Sequence, residues 1–336
     1  MEHLSPELLT SLLRDVSRSF YLTLRVLPLS IRWQVGLAYL LARATDTIAD
    51  TDLIPVADRL DALHALRARI AGTSQSPLDF HILASQQATL PERVLLERAE
   101  EAINALAKFS YSDQQRIREV LATITTGQEL DLQRFNGAKE QAIIALQTDA
   151  ELDDYTFRVA GCVGEFWTRI CCAHLFHSAK LDEPALIANG IRFGKGLQLV
   201  NILRDLPADL RQGRCYLPQQ RLEAIGLTAA RLLDPATEPQ LRALYHNHLD
   251  LASAHLAAGW EYTNSLPRRF VRVRLACAWP VLIGIRTLSK LRRSNALNPS
   301  HRIKITRAEV HSIMAGTLWR YAFPAAWREL PERAAR

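Results

Sequence analysis

The sequence predicts an all-α protein, and three observations support this prediction. Gly (14) and Pro (15) are sparse among the 336 residues, so long helices are rarely interrupted. Apolar side chains recur at helical spacing through much of the chain, and the alternating run at 271–275 is too short to imply a sheet. We therefore expect a single domain over residues 1–336, a helical bundle with its ligand site among the helices.

The helices can be placed from their start signals and their apolar spacing. Ser5-Pro6-Glu7 is a typical helix start, with an N-cap residue followed by Pro at the first helical position. Apolar residues then repeat at helical spacing within 9–16, 95–106 and 117–124. Breaks are predicted where Gly, Pro, Asn or Asp cluster, at 72–77, 136–137, 182–184, 213–218 and 298–299.

Composition places the chain among ordinary soluble globular proteins, with 48% hydrophobic and 23% charged residues. The apolar stretch at 276–285 is far shorter than the roughly 20 residues that a membrane-spanning helix needs. The first residues lack the basic and apolar regions of a secretory signal, so we expect a cytoplasmic protein. The five cysteines form no CxxC pair, and we expect reduced thiols packed in the core.

Positive charge is concentrated at the end of the chain. Residues 268–336 carry 15 Lys and Arg against 3 acidic residues, whereas the rest carries 26 against 32. Such a basic segment fits anionic lipid head groups, a phosphorylated cofactor or nucleic acid, and a solvated surface without a partner is the plain alternative. No recognised nucleic-acid-binding motif is present, so no nucleic-acid partner is expected.

A first acidic pattern lies on an apolar helix near residue 46. Tyr39, Arg43, Asp46 and Asp50 fall on a common stripe, because positions three and four apart share one helix face. An isolated DxxxD is a weak motif. The alternative interpretation is a solvated face on which Arg43 pairs with Asp46, an interaction of only a few tenths of a kcal/mol, roughly.

A second polar stripe follows in the most apolar part of the chain. Gln198, Asn201, Asp205 and Asp209 share one side of a segment that is otherwise almost entirely Leu, Val and Ile. We expect these polar groups to have little access to water and therefore to need partners. Pro207 should kink or end the helix close to Asp209.

Clustered carboxylates repel each other unless a positive charge stands between them. Mg²⁺ prefers oxygen ligands and typically binds through one or two carboxylates together with substrate phosphates. The two acidic stripes therefore favour a metal-bound diphosphate as the ligand. Arg side chains suit the same ligand, because the planar guanidinium binds phosphate oxygens in pairs.

Taken together, the motifs resemble those of the squalene and phytoene synthases. Four elements stand in that family's order: Ser17-Arg18-Ser19-Phe20, the 39–50 stripe, Tyr155-x-x-x-Val159-Ala160-Gly161-x-Val163-Gly164, and the 198–209 stripe followed by Gly213-Arg214-Cys215-Tyr216-Leu217-Pro218. The resemblance implies an isoprenoid synthase fold of the head-to-head type with a central cavity. It also implies a prenyl transferase that joins two farnesyl diphosphates with the help of Mg²⁺.

The resemblance assigns roles residue by residue. It implies Asp46, Asp50, Asn201, Asp205 and Asp209 as magnesium ligands. It implies Ser17, Arg18, Ser19, Phe20, Tyr39, Arg43, Gln198 and Arg214 as substrate-binding residues. Tyr155, Arg204, Asp46 and Asp205 are the expected catalytic residues, with Tyr155 relaying the proton lost when a cyclopropane ring closes. A buried structural tyrosine is the alternative for Tyr155.

Two elements in the basic segment resemble squalene synthases rather than phytoene synthases. Cys277-Ala278-Trp279-Pro280 is similar to a helix of that branch, and Lys304-Ile305-Thr306-Arg307 is similar to its basic nicotinamide-associated element. The leading hypothesis is therefore a squalene synthase that uses NADPH, with Arg18, Arg43, Arg204, Lys304 and Arg307 as cofactor-binding residues. A peripheral contact with the anionic inner membrane surface is a further expectation.

Other interpretations stay open at this point. Ala49 replaces an acidic residue of many squalene synthases, and Arg274 and Ala276 replace a Phe-x-Phe pattern of the eukaryotic enzymes. These departures suit a bacterial-type squalene synthase, which the chain resembles most, or an enzyme that stops at the cyclopropyl intermediate without a reductive step. Such an enzyme would make presqualene diphosphate, dehydrosqualene or phytoene. A non-catalytic helical protein that docks on membrane or nucleic acid is the alternative of another class.

Overall fold

The computed structural model describes residues 11–16, 24–177, 179–299 and 303–336. Helices dominate these ranges, which confirms the predicted all-α class. The expected start at Ser5-Pro6 lies outside the described residues. Within the described ranges, no helix combines the length and the apolar character needed to cross a membrane.

The elements follow one another in a simple order. The first half contains α1 (Leu13–Val16), α2 (Leu29–Ala49), α3 (Val56–Ala71), α4 (His81–Ser85), α5 (Leu90–Glu97), α6 (Ala99–Leu106), α7 (Tyr111–Arg134), β1 (Ile144–Ala145), α8 (Asp149–Thr156), a π-helical turn (Phe157–Gly161) and α9 (Cys162–His174). The second half contains α10 (Glu183–Arg211), β2 (Arg214–Cys215), α11 (Gln219–Glu223), 3₁₀ turns (Ala229–Leu233, Pro235–Thr237), α12 (Glu238–Ser265), α13 (Val271–Arg292), α14 (Arg307–Arg320), α15 (Pro324–Arg328) and α16 (Leu330–Ala335).

The predicted breaks coincide with helix ends that have identifiable physical causes. Gly72 follows α3 with a positive φ of 80°, a conformation that glycine adopts without a steric penalty. Asp182 caps α10, because its side chain accepts a hydrogen bond from the amide of Ala185. The run at 271–275 is helical and begins α13, so the alternation there does not produce a strand.

Contacts divide the chain into two compact units, Met1–Asn136 with Phe166–Lys180, and Gly137–Glu165 with Leu181–Arg336. The single domain over 1–336 stays a prediction. In the first unit, α2 packs against α3, α6 and α7. Leu37, Leu40 and Leu41 of α2 are fully buried, and Asp46 lies on the side of the helix away from these leucines.

In the second unit, α10 packs along α12 and also contacts α13. The hydroxyl of Tyr245 donates to the backbone oxygen of Leu203 at 2.9 Å, which joins α12 to α10. Leu203 and Asp205 lie on roughly opposite sides of a helix of 3.6 residues per turn. The acidic stripe of α10 therefore stays free of the packing against α12. The two short strands of this unit pair in parallel, Ile144 with Arg214 and Ala145 with Cys215.

Gly164 explains part of the motif that follows Tyr155. A Cβ atom at this position would lie 1.9 Å from the backbone oxygen of Gly190. Real Cβ atoms cannot approach a carbonyl oxygen so closely, so α9 and α10 meet here only because residue 164 has no side chain. The glycine at the end of the motif is therefore required by close helix packing within the second unit.

We expect Gly164→Ala to destabilise the protein by at least about 1–3 kcal/mol, because the added methyl group forces the two helix backbones apart. Chemical denaturation measures this change in the free energy of unfolding. Gly316→Ala is the matched control, since a Cβ there meets only the end of the flexible Arg320 side chain at 3.1 Å. Equal stabilities of the two variants would contradict the packing argument.

Candidate active site

The first acidic pair stands at the end of α2. The amide of Asp50 donates to the backbone oxygen of Asp46 at 2.8 Å, so both residues lie on consecutive turns of one helix face. Partial loss of water around the Asp46 carboxyl and repulsion from Asp50 raise its pKa to about 6, and Arg43 and Gln128 act in the opposite direction. The Asp46 side chain keeps 47% of its surface exposed, so a ligand can reach it.

Gln128 is a partner of this pair that sequence reasoning missed. Its side-chain amide on α7 donates a short hydrogen bond to Oδ1 of Asp46. Gln128 itself is buried, and it follows Ile117, Leu121 and Ile124 on the same apolar face of α7. A polar residue at a buried, apolar-spaced position was the available signal, because such a side chain needs a hydrogen-bond partner.

Arg43 is held mainly by a residue outside the acidic motif. Its Nη2 atom lies 2.6 Å from Oε1 of Glu92 on α5, whereas Nη1 lies 4.0 Å from Asp46. The simple pairing of Arg43 with Asp46 is therefore the weaker of its two contacts. Arg43, Asp50 and Glu92 line a cleft of about 230 Å³ in the first unit.

The donors around Asp46 fit a hard divalent cation. The Asp50 carboxylate opposes ionisation of Asp46, and a cation would offset this repulsion. The Oε1 atom of Gln128 is buried and lacks a hydrogen-bond partner among the described residues, so one further oxygen is left beside Asp46. In those same ranges, no group of three or more His, Cys, Asp or Glu side chains could hold a metal ion.

The second polar stripe lies along α10, in the second unit. Gln198, Asp205 and Asp209 are half-buried, whereas Asn201 is exposed, so the expectation of little access to water is wrong for Asn201. The helix provides this access because its other faces supply the packing against neighbouring helices. α10 ends at Arg211, shortly after Asp209, as the position of Pro207 predicted.

Arg204 forms a two-point ion pair with its own neighbour. Its Nε atom lies 3.1 Å from Oδ1 of Asp205, and its Nη2 atom lies 2.5 Å from Oδ2. This fork is the geometry that guanidinium groups also use for phosphate oxygens. Arg204 therefore fixes the orientation of one expected metal ligand, and a diphosphate would have to share the guanidinium with Asp205.

Tyr155 packs against a second tyrosine of the family-like motifs. The rings of Tyr155 and Tyr216 stack with their centroids 4.8 Å apart, and their hydroxyls lie 3.4 Å from each other. Tyr216 directly follows the β2 strand. Gly213, which directly precedes that strand, has a φ of 82°, and a Cβ at this position would lie 2.2 Å from the amide nitrogen of Lys139. The glycine thus permits the strand pairing that places Arg214 and Tyr216.

The cysteines behave as expected for buried thiols. All five are free thiols, and four of them are buried. Burial raises the pKa of Cys162 and of Cys215 to about 12 in each case, so neither thiol forms a thiolate near neutral pH. The prediction of free core thiols is confirmed for these four cysteines, whereas Cys172 is half-buried.

The basic element at 304–307 includes Thr306, the residue that caps the start of α14. Thr306 and Glu309 form a capping box, in which each side chain accepts a hydrogen bond from the other's backbone amide. Glu309 also binds Arg286 and Lys290 of α13, at 3.1 and 2.7 Å. Lys304 and Arg307 are exposed, so their charges could meet phosphate groups, but this role stays a prediction.

Comparison with known proteins identifies the family. The model of the family described as squalene/phytoene synthase matches residues 13–309. The chain belongs to the squalene/phytoene synthase family. It is therefore a prenyl transferase, and the resemblance drawn from the motifs is confirmed.

Curated relatives of the family divide into two kinds. The presqualene diphosphate synthases of Rhodopseudomonas palustris and Sinorhizobium fredii are each 31% identical, over 76% of this chain and 77% of the relative. The bifunctional lycopene cyclase/phytoene synthase of Blakeslea trispora is also 31% identical, over 63% of this chain. The match spans only 32% of that longer relative.

Solved structures show the same fold. The complex of TcSQS with a ligand superposes with a TM-score of 0.77 at 23% identity, over 98% of this chain and 89% of that one. Squalene synthase HpnC from Alicyclobacillus acidocaldarius superposes with a TM-score of 0.62 at 22% identity, over 87% and 94%. These matches confirm the isoprenoid synthase type of helical fold.

The structure describes most of the expected site residues of this family member. Within the first unit it places Tyr39, Arg43, Asp46 and Asp50 along α2, and within the second it places the α10 stripe and Tyr155. Ser17, Arg18, Ser19 and Phe20 lie outside the described residues. Gln128 and Glu92 are residues that motif reasoning did not name, and the stacking of Tyr216 on Tyr155 is a contact that it did not predict.

If Asp46 binds magnesium as expected, Gln128→Ala should weaken activity at limiting Mg²⁺ by about 10- to 100-fold, because a partner that orients this carboxylate is lost. The measurement is the Mg²⁺ concentration that gives half-maximal turnover of farnesyl diphosphate. Gln133→Ala, an exposed change on the same helix, is the matched control. An unchanged Mg²⁺ requirement in Gln128→Ala would show that this contact does not act on a metal site.

Glu309 predicts a pH-dependent contribution to stability. Hydrogen bonds from Lys290 and from the Thr306 amide lower its pKa from 4.5 to about 2. A carboxyl with a lowered folded-state pKa stabilises the fold fully above pH 4.5 and loses this contribution as the pH falls toward 2. The melting temperature of Glu309→Gln, measured by thermal unfolding, should therefore lie below that of the wild type at pH 7.

The difference in melting temperature between the two proteins should shrink as the pH is lowered from 5 toward 3, values set by the pKa range of about 2 to 4.5. Glu332→Gln, an exposed change in the same basic segment, serves as the control. A gap that stays constant across this range would argue against ionic stabilisation by Glu309.

Proposed function

We propose that the protein condenses two farnesyl diphosphates head to head and releases presqualene diphosphate. The observation that carries this proposal is the pair Asp46 and Asp50, two carboxylates that oppose each other's ionisation and remain reachable. The relatives that match about three quarters of their length are named presqualene diphosphate synthases, which supports this product.

Different residues have different roles in the proposed reaction. Asp46 and Asp50 on α2, and Asn201, Asp205 and Asp209 on α10, are the proposed ligands of magnesium. Bound magnesium would neutralise the charge that develops on a departing diphosphate. Gln128 and Arg204 orient one carboxylate of each group, and Arg43 and Arg214 supply positive charge for phosphate oxygens.

Tyr155 takes part in the proton transfer of this proposal. The carbon–oxygen bond of one substrate breaks and diphosphate leaves, a carbon–carbon bond forms to the double bond of the second substrate, and a proton is lost as the cyclopropane closes. The Tyr155 hydroxyl relays that proton to the released diphosphate. Its stacked neighbour Tyr216 fixes the ring and lies within 3.4 Å of its hydroxyl.

A squalene synthase with an NADPH-dependent second step is the second candidate. The similarity of Cys277-Ala278-Trp279-Pro280 and of Lys304-Ile305-Thr306-Arg307 to the reductive branch favours it. Against it, Arg274 takes the place of an aromatic residue of that branch and is buried in contacts of its own with Leu266 and Asn264. We therefore rank the reaction without a reductive step first.

The location of the protein in the cell is also a proposal. We propose a cytoplasmic protein that touches the inner membrane surface, supported by the surplus of basic residues in 268–336. No nucleic-acid partner is proposed.

Product analysis with and without NADPH distinguishes the two candidates. Purified protein with farnesyl diphosphate and Mg²⁺ should release the same product, presqualene diphosphate, at the same rate whether or not NADPH is present. Formation of squalene only with NADPH would replace the first proposal with the second. A product formed only from a longer prenyl diphosphate would indicate phytoene synthesis.

We expect Asp46→Asn and Asp205→Asn to lower turnover by at least about 100-fold, because each removes a charged ligand from the diphosphate-binding machinery. The fold should persist, since Asp46→Asn relieves the repulsion from Asp50 and Asp205→Asn weakens only a partly exposed ion pair with the neighbouring Arg204. Turnover and circular dichroism are the measurements, with Asp58→Asn, an exposed change on α3, as control. Loss of the helical circular dichroism signal in both variants, but not in the control, would favour a structural role.

A further inference from the structure

Three large apolar side chains stand together on the surface at the end of α14. Leu318 is 56% exposed, Trp319 is 66% exposed and Phe323 is 51% exposed. The rings of Trp319 and Phe323 contact each other, with their centroids 5.3 Å apart. Single exposed apolar residues are ordinary, but a contiguous group with two aromatic rings indicates a surface that meets a partner. We call these three residues the aromatic patch.

The aromatic patch stands on a rigid base. The buried Arg274 lies over the rings of Tyr321 and Trp327, two residues close to Phe323 in the sequence, at 5.6 and 5.4 Å from their centroids. The Tyr321 hydroxyl donates to the backbone oxygen of Arg268 at 2.6 Å. In return, the Arg268 guanidinium donates to the backbone oxygen of Tyr321 at 3.0 Å. The backbone on both sides of the patch is therefore fixed, and its exposure is a property of the fold.

The surroundings of the patch are strongly positive. Arg320 lies 5.5 Å from the Trp319 ring centroid, and the segment joined to Tyr321 adds the exposed residues Arg268, Arg269 and Arg272. From Tyr262 to Arg328 the sequence contains one acidic residue, Glu309. Ion pairs with Arg286 and Lys290 already use its charge, so it does not neutralise the patch.

We infer that the aromatic patch docks on an anionic lipid bilayer. Trp and Phe favour the boundary between head groups and acyl chains, and Arg side chains bury their stems there while the guanidinium reaches lipid phosphates. Juxtaposed positive charge adds attraction to an anionic surface. A protein partner or a second copy of this chain would have to offer a matching acidic, apolar surface, whereas an anionic bilayer has both properties everywhere.

This inference deepens the proposed membrane contact by naming the surface that makes it. It does not depend on the reaction, because binding to lipid requires no turnover. The two proposals can therefore fail separately. Lost prenyl transfer with retained vesicle binding would count against the reaction alone.

Vesicle co-sedimentation of the full chain tests the patch. The wild type should bind vesicles that contain phosphatidylglycerol and should bind pure phosphatidylcholine vesicles much more weakly. The double change Trp319→Ala and Phe323→Ala should weaken binding by at least about 10-fold, because two apolar side chains no longer enter the bilayer. Tyr111→Ala with Ile82→Ala, an exposed aromatic and aliphatic pair elsewhere, is the matched control and should bind like the wild type.

The charged part of the surface is tested with Arg269→Gln and Arg272→Gln. Each change should weaken binding to phosphatidylglycerol vesicles by about fivefold. Added salt should reduce wild-type binding in the same direction, because it screens the attraction. Circular dichroism verifies that every variant is folded.

Three outcomes would overturn the inference. The first is equal vesicle binding by the wild type and the folded patch variant. The second is failure of the wild type to bind either kind of vesicle. The third is a wild-type oligomer, seen by light scattering, that the patch variant alone loses, since a second copy of the chain would then cover the patch.

Discussion

Repulsion between carboxylates is the constraint around which the candidate active site is built. Asp46 and Asp50 stand one helical turn apart, and protein atoms displace part of the water around the Asp46 carboxyl. The fold tolerates this arrangement because Arg43 and Gln128 act on the Asp46 carboxyl in the opposite direction. A nearby cation would offset the repulsion between these two carboxylates. The repulsion that opposes ionisation of Asp46 in the protein alone therefore favours binding of a metal together with an anionic ligand.

Both acidic stripes depend on apolar packing elsewhere on their helices. Leu37, Leu40 and Leu41 anchor α2 within its unit, and the contact of Leu203 with Tyr245 anchors α10 within the other. The polar side chains are thus presented by rigid helices rather than by loops. Precise placement of this kind matters for phosphate chemistry, where catalysis rests on the positions of charges.

The basic end of the chain combines structural and surface roles. Glu309 organises Arg286 and Lys290 at the junction of α13 and α14, which uses a fraction of the positive charge internally. Arg274 is buried among aromatic rings and serves packing. Arg320 lies against the Trp319 ring, and the exposed Arg268 is hydrogen-bonded to Tyr321 between the two aromatic residues of the patch. One stretch of sequence therefore supplies an internal ion-pair network and a separate docking surface.

By itself, the sequence determined the all-α class, most helix ends, the two acidic stripes and the family. It could do so because helical spacing, glycine and proline breaks and motif order are local properties of the chain. Only the tertiary structure decided that Gln128 donates a hydrogen bond to Asp46, that Glu92 forms an ion pair with Arg43 and that Tyr216 stacks on Tyr155. These partners come from elements far apart in the sequence, and packing of apolar faces, which no local pattern encodes, brings them together.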